Sequence, residues 1–238
     1  MGQLQLQVSV SNDAACEATV SRQFSTRINV DEVPNASTLD TVESPSTPWT
    51  TTGADADQIW DRVELAPFNN AWFGRDFGAV SDTSLESPDL RVGTTAPLVI
   101  AFDHAFGFET NGGVAPFFDG GVIEVSSNGG VDWVDVSTIV DPGYGGTLFV
   151  GSGNPLGGRR AFVGRSAGFP ALARLTLNLG TAFAGQTVRI RFRIATDAAA
   201  ADTGWAIDNV SVQGITNLPF SALVEDRAKC RGVPKKTK

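Results

Sequence analysis

The sequence predicts an all-β fold, an antiparallel β-sandwich. Three observations carry that reading: apolar and polar residues alternate with a period of two, helical periodicity is nearly absent, and turn clusters recur about every dozen residues. Leu4, Leu6, Val8 and Val10 begin the alternation, and further strands are predicted near 18–30, 86–92 and 97–109. Gly121 to Ser127, then Asn128-Gly129-Gly130, then Val131 to Val136 reads as a hairpin, because Asn-Gly supplies the positive φ angles of a tight reversal. Strands near 160–164 and 172–179 precede the clearest one, in which Val188, Ile190, Phe192 and Ile194 alternate with Thr187, Arg189, Arg191 and Arg193. A last strand is predicted over 204–213. The glycine-rich stretches 111–116 and 141–158 read as long loops at one end of the sandwich, where binding usually resides.

At 238 residues the chain is long enough to form a core without a metal or disulfide. Three parts are predicted: an N-terminal β-hairpin over 1–32 that closes a preceding β-domain, a sandwich over 33–222, and a C-terminal tail over 223–238. Eighteen Lys+Arg against 26 Asp+Glu give a net charge of −8, and no basic stripe offers itself to a phosphate backbone, so nucleic acid is not an expected partner. All four lysines fall at 229–238 and read as a solvated tail. The longest apolar runs, such as Leu98 to Phe102, fall far short of the ~20 residues that cross a bilayer. The first residues lack the features of a signal peptide, yet strand alternation already starts at position 3. The expectation is a piece of a longer precursor. Cys16 and Cys230 read either as free thiols or as a staple requiring an oxidising compartment.

One histidine restricts the chemistry most. Zinc hydrolases need two or three imidazoles, and no His-Glu-x-x-His motif occurs. Gly164-Arg165-Ser166-Ala167-Gly168 matches a Gly-x-Ser-x-Gly pattern, but no helix is predicted after it, and His104 lies inside a predicted strand. Ser166 therefore reads as a turn residue. A carboxylate-based carbohydrate-active enzyme would draw on Glu109, Asp119 and Glu124, although no spacing identifies a catalytic pair. Calcium fits better, because hard cations take loop oxygens without a fixed motif. Asp40, Glu43, Asp119 and Asp208 stand at the relevant places. Asp208, between Ile207 and Val210, needs a cation, an arginine or solvent to answer it. Trp60, Trp72, Phe73 and Tyr144 are the rings nearest predicted loops, and Trp72 and Tyr144 are the candidates for stacking on a ligand.

The series Phe118-Asp119-Gly120-Gly121-Val122-Ile123-Glu124-Val125-Ser126, Asn128-Gly129-Gly130-Val131-Asp132-Trp133, Asn154 to Arg159, Ala161 to Gly164, Gly185 to Phe192 and Gly204-Trp205-Ala206-Ile207-Asp208-Asn209-Val210 runs from 118 to 210, within a resemblance that covers roughly 33–220. In order and spacing it resembles the MAM-like jelly-roll accessory domains of secreted bacterial metallopeptidases of myxobacterial type, fungalysin-like or immune-inhibitor-A-like. The resemblance implies a jelly-roll (MAM-like or galactose-binding-like) sandwich, secreted and non-catalytic, with a structural calcium. Glu43 and Asp208 match acidic positions of that family, and Asp119 matches the acid that opens its hairpin motif. It also implies a Cys16–Cys230 pairing across the domain junction.

The expected function is an accessory binding or structural module of a secreted hydrolase, docking to a polysaccharide, a cell-surface protein or the parent catalytic domain. A lectin-like carbohydrate-binding domain is the alternative, with a carboxylate-based enzyme behind it.

Overall fold

The computed structural model describes residues 2–10, 20–28, 30–53 and 60–225. Cys16, Cys230 and the lysines lie outside them. The chain divides into two compact units, Met1–Val33 with Leu223–Lys238, and Pro34–Ala222.

In chain order the strands are β1 (Gly2–Val10), β2 (Val20–Ile28), β3 (Val30–Ser37), β4 (Leu39–Asp40), β5 (Thr50–Thr52), β6 (Asp61–Ala66) and β7 (Asn69–Arg75). Next come β8 (Ser81–Glu86), β9 (Leu90–Arg91), β10 (Val99–Gly107), β11 (Thr110–Asn111), β12 (Val114–Phe117), β13 (Gly120–Ser126) and β14 (Val134–Asp135). The chain continues with β15 (Gly146–Thr147), β16 (Arg160–Ala161), β17 (Ala173–Asn178), β18 (Thr187–Thr196), β19 (Gly204–Gln213) and β20 (Phe220–Glu225). In the smaller unit β1 and β2 run antiparallel.

The larger unit is an antiparallel β-sandwich. One sheet has the order β17-β10-β19-β7-β6 with β4 also on β19; the other has the order β14-β13-β18-β8-β5 with β9 also on β18. A single core joins them. Ile100, Phe102, Trp205 and Ile207 from the first sheet pack with Leu85, Ile123, Ile190 and Phe192 from the second, and Phe192 meets Phe102 and Trp205 edge-on at 5.0 and 5.7 Å. Gly121 is required here, since a Cβ would stand 2.6 Å from the Trp205 ring. The alternation on β18 holds: Val188, Ile190, Phe192 and Ile194 are buried, while Arg189, Arg191 and Arg193 point away and pair with acids.

The outer side of β13 is covered too. The glycine-rich 141–158 stretch, predicted as a binding loop, folds back over it together with the following 160–162 segment: Tyr144, Leu148 and Leu156 are buried, and a Cβ on Gly120 would lie 2.6 Å from the Phe162 carbonyl. Glu124, 3% exposed, then accepts from Arg159 Nη1 at 2.7 Å and Arg191 Nε at 2.6 Å, and the Arg191 guanidinium sits 4.2 Å from the Trp133 ring centre. Glu124 is therefore the shared counter-ion of Arg159 and Arg191. The β14 strand covers only Glu124 and Val125 of β13. The rest of that edge is stitched by reciprocal Gly121–Phe162 backbone bonds and by the Ile123 N–H donating to the Tyr144 hydroxyl at 2.8 Å.

Candidate metal centre

Antiparallel order brings four acids from distant parts of the sequence to one end of the sandwich. Asp76 follows β7 and Glu109 follows β10, two strands of one sheet that flank β19 and run the same way. Asp119 precedes β13 and Asp197 follows β18, neighbours in the other sheet with Gly120 opposite Ala195. Carboxylate oxygens of Glu109, Asp119 and Asp197 all lie within 4.8 Å of one another. That is the spread of ligands on a sphere of radius about 2.4 Å, the calcium–oxygen distance. Asp76 borders the group.

The local hydrogen bonds leave this cluster incomplete. Asp76 Oδ2 accepts from the Glu109 and Asp202 N–H groups at 2.8 and 2.9 Å, Asp119 Oδ1 from Asp197 N–H at 2.6 Å, and Asp197 Oδ1 from Ala199 N–H at 2.8 Å. Asp76 Oδ1, Glu109 Oε2 and Asp119 Oδ2 are buried with no donor, although Asp76 and Asp119 are 6% and 0% exposed. Buried anionic oxygens without donors are costly unless a cation or a proton meets them. Without a cation the proton must. Burial, reinforced by the Asp76 charge and by the hydrogen bond that a protonated Asp119 gives Asp76, pushes Asp119 up to about 9. Burial raises Asp76, and burial with the Asp197 and Asp76 charges raises Glu109. An all-oxygen donor set with no imidazole or thiolate matches a hard divalent cation, so the residues present fit calcium.

The other sequence candidates lie elsewhere. Glu43 accepts from Asn70 N–H at 3.1 Å and Asn70 Nδ2 at 2.8 Å. Asp208 is 1% exposed, takes its hydrogen bonds from Asn209, and is raised to about 6 by burial and by the charges of Glu43, Asp103 and Asp40. Glu43 and Asp208 thus share a second acidic neighbourhood, whereas Asp119 belongs with Glu109 and Asp197. The Asp208 site needs a backbone irregularity: Asn209, at φ 50°, is the extra residue where the β10–β19 register slips. Trp72 and Tyr144, expected as stacking rings, are 5% and 4% exposed and offer no face to a ligand. Tyr144 is instead a bridge between Ile123 and Asp135, and burial raises its phenol.

His104 and Ser166 form no nucleophile–base pair. The imidazole lies among Phe102, Phe106, Phe162 and Trp205, accepts the Trp205 indole N–H on Nδ1 at 3.2 Å, and is held down at about 4 by burial. The Ser166 hydroxyl accepts from Phe106 N–H at 3.1 Å. Glu109 and Asp119, the remaining acids of the enzyme alternative, face each other across a gap the size of a cation, with Asp119 wholly buried.

Asp76 and Asp197 escaped the sequence reading, and Glu109 entered it only as a catalytic acid. Their shared signal is an acid within two residues of a strand end, which becomes informative once strand order is known.

No protein-family model matches this chain, and no curated protein matches it. Among solved structures it is similar to a carbohydrate-binding module from the β-sandwich superfamily, at 11% identity and a TM-score of 0.40, over 89% of this chain and 74% of that one. It is also similar to TmCBM61, solved with β-1,4-galactotriose, at 13% identity and a TM-score of 0.39, over 69% of this chain and 87% of that one. A third is the K1 cleaved adhesin domain of Lys-gingipain from Porphyromonas gingivalis W83, at 14% identity and a TM-score of 0.40, over 77% of this chain and 98% of that one. Likeness at this level carries nothing about function.

Proposed function

We propose that the chain is a non-catalytic, calcium-stabilised β-sandwich module that docks a secreted hydrolase onto a polysaccharide surface. The observation that carries the reading is the convergence of Asp76, Glu109, Asp119 and Asp197 at one end with three buried oxygens lacking donors. A cation held by Glu109, Asp119 and Asp197 would tie three strand ends from the two sheets into a rigid rim, and a rigid rim lowers the ordering cost of binding. The core position of His104 and the hydrogen-bonded Ser166 support a role in binding and not turnover. The resemblance of the motif series to metallopeptidase-associated domains is what supports a hydrolase parent. Attachment to a surface would raise the effective concentration of a linked catalytic unit without any catalytic contact from this chain.

The test is co-sedimentation of the purified chain with insoluble polysaccharides and cell-wall preparations, with calcium and with a chelator. Calcium-dependent retention on at least one polysaccharide is expected. Retention on none of them with calcium present would leave a structural spacer in place of a docking module.

A further inference from the structure

Beside the carboxylate cluster lies an open groove of about 610 Å³, walled by the Gly112–Gly113 turn, Phe117, Gly164, Arg165 and Asp202. Ligand sites typically occupy about 300 to 1,000 Å³. We propose that this groove is the module's saccharide site and that it takes a neutral polysaccharide; the inference rests on the docking function above and assigns its residues.

The chemistry of the walls selects the ligand. Arg165 Nε and Nη2 donate to the two Asp202 carboxylate oxygens at 2.9 and 3.0 Å, and the guanidinium stands 5.2 Å from the Phe169 ring centre. The pair cancels its own charge, so it offers no net attraction to a sulfate or carboxylate, and the acids behind it repel one. What it offers is a fixed donor plane beside a fixed acceptor, which suits adjacent hydroxyl groups that both donate and accept. The Arg165 side chain is 61% exposed and within reach of such a ligand. Phe117 supplies the apolar complement. Its half-buried ring lies against Gly146, where a Cβ would come within 2.5 Å, so the ring is held in place for the C–H face of a sugar. Gly112 and Gly113, at φ 65° and 82°, make a wall without side chains.

The groove is also coupled to the carboxylate cluster. Asp76 Oδ2 accepts from Glu109 N–H and Asp202 N–H, so a single carboxylate pins the residue preceding the 110–113 turn and the acid that holds Arg165.

The experiment titrates the full chain, in saturating calcium, with soluble glucan, mannan, galactan, xylan and polygalacturonate. Calorimetry gives affinity, and amide NMR follows Gly112, Gly113 and Gly164. Arg165→Ala and Phe117→Ala are compared with the unaltered chain, each with its melting temperature. The expected result is binding of at least one neutral polymer, movement of those glycine signals, and at least tenfold weaker binding by Arg165→Ala at an unchanged melting temperature. Phe117→Ala should weaken binding as well. If it also melts early, the exposed Arg165 position decides alone. A neutral polymer bound equally well by Arg165→Ala, with the glycine signals still, overturns the groove and leaves the docking function standing. Binding of polygalacturonate alone overturns the neutral ligand. Binding of no polymer by the unaltered chain removes the docking function, and the groove with it.

Discussion

If the proposed site of Glu109, Asp119 and Asp197, with Asp76 beside it, holds calcium, withdrawing the ion should destabilise the sandwich by an amount that grows with pH. Asp119 ordinarily titrates at 3.8 and in the cation-free fold at about 9. Between those values the folded chain holds a proton that the unfolded chain has released. Stability therefore falls as pH rises, by about 1.4 kcal/mol per pH unit for one such group. His104 acts in the opposite direction, because its ring is held at about 4 against an ordinary 6.5, and it stops contributing to the slope above about pH 6.5. Asp208, at about 6, has also finished by about pH 7. From about pH 7 to about pH 8.5 the Asp119 cluster is the shifted group still titrating, and its share is about 2 kcal/mol. For a domain of this size that is about 4 to 8 °C of melting temperature. A bound cation displaces the proton, so the calcium form escapes this loss. Scanning calorimetry with calcium and with excess chelator, at both pH values, gives the gap between the two forms; groups outside the cluster cancel in it. A gap that stays constant with pH, or melting curves that coincide at pH 8.5, would refute the reasoning.

Trp205→Ala should cost about 3 to 5 kcal/mol in urea unfolding, because the indole is fully buried among Trp60, His104, Phe108, Phe162 and Phe192. A cost below about 1 kcal/mol would deny it that central role. Glu124→Gln takes the shared carboxylate from Arg191 and Arg159, of which Arg159 keeps Asp135 at 2.6 Å and is 31% exposed, so the loss should be about 2 to 3 kcal/mol by the same measurement. Gly120→Ala forces a methyl group toward the Phe162 carbonyl and should lower stability by about 1 to 3 kcal/mol; an unchanged denaturation midpoint would show that the 141–162 segment does not press on β13.

Elements with strict alternation were legible in the sequence, β18 most of all. The β6–β7 hairpin was not. Five of six β6 residues are exposed, so no alternation marks it, and its reversal puts Phe68 at φ 63°, where a bulky residue gives no turn signal. The 141–158 stretch misled for a related reason: its buried apolar side chains, Tyr144, Leu148 and Leu156 among them, are separated by glycines and exposed residues and show no strand alternation. Of the candidate metal centre, only Asp119 was named from the sequence as a metal ligand, through the Phe118-Asp119-Gly120-Gly121 motif. Its neighbours Asp76 and Asp197 are fixed by register across two sheets, and sequence spacing carries no trace of that.

Sheets are vulnerable at their borders, where unpaired backbone groups invite a second molecule to add a strand. In the β14-β13-β18-β8-β5 sheet the outermost strands are stubs of two and three residues, and the stretch of β13 that β14 leaves open is closed by Phe162 and Tyr144. Copies crowded side by side on a polymer would find little template there for fusing into aggregates. The proposed docking role would gain from that reticence, because high local density is the condition under which strand exchange would otherwise begin.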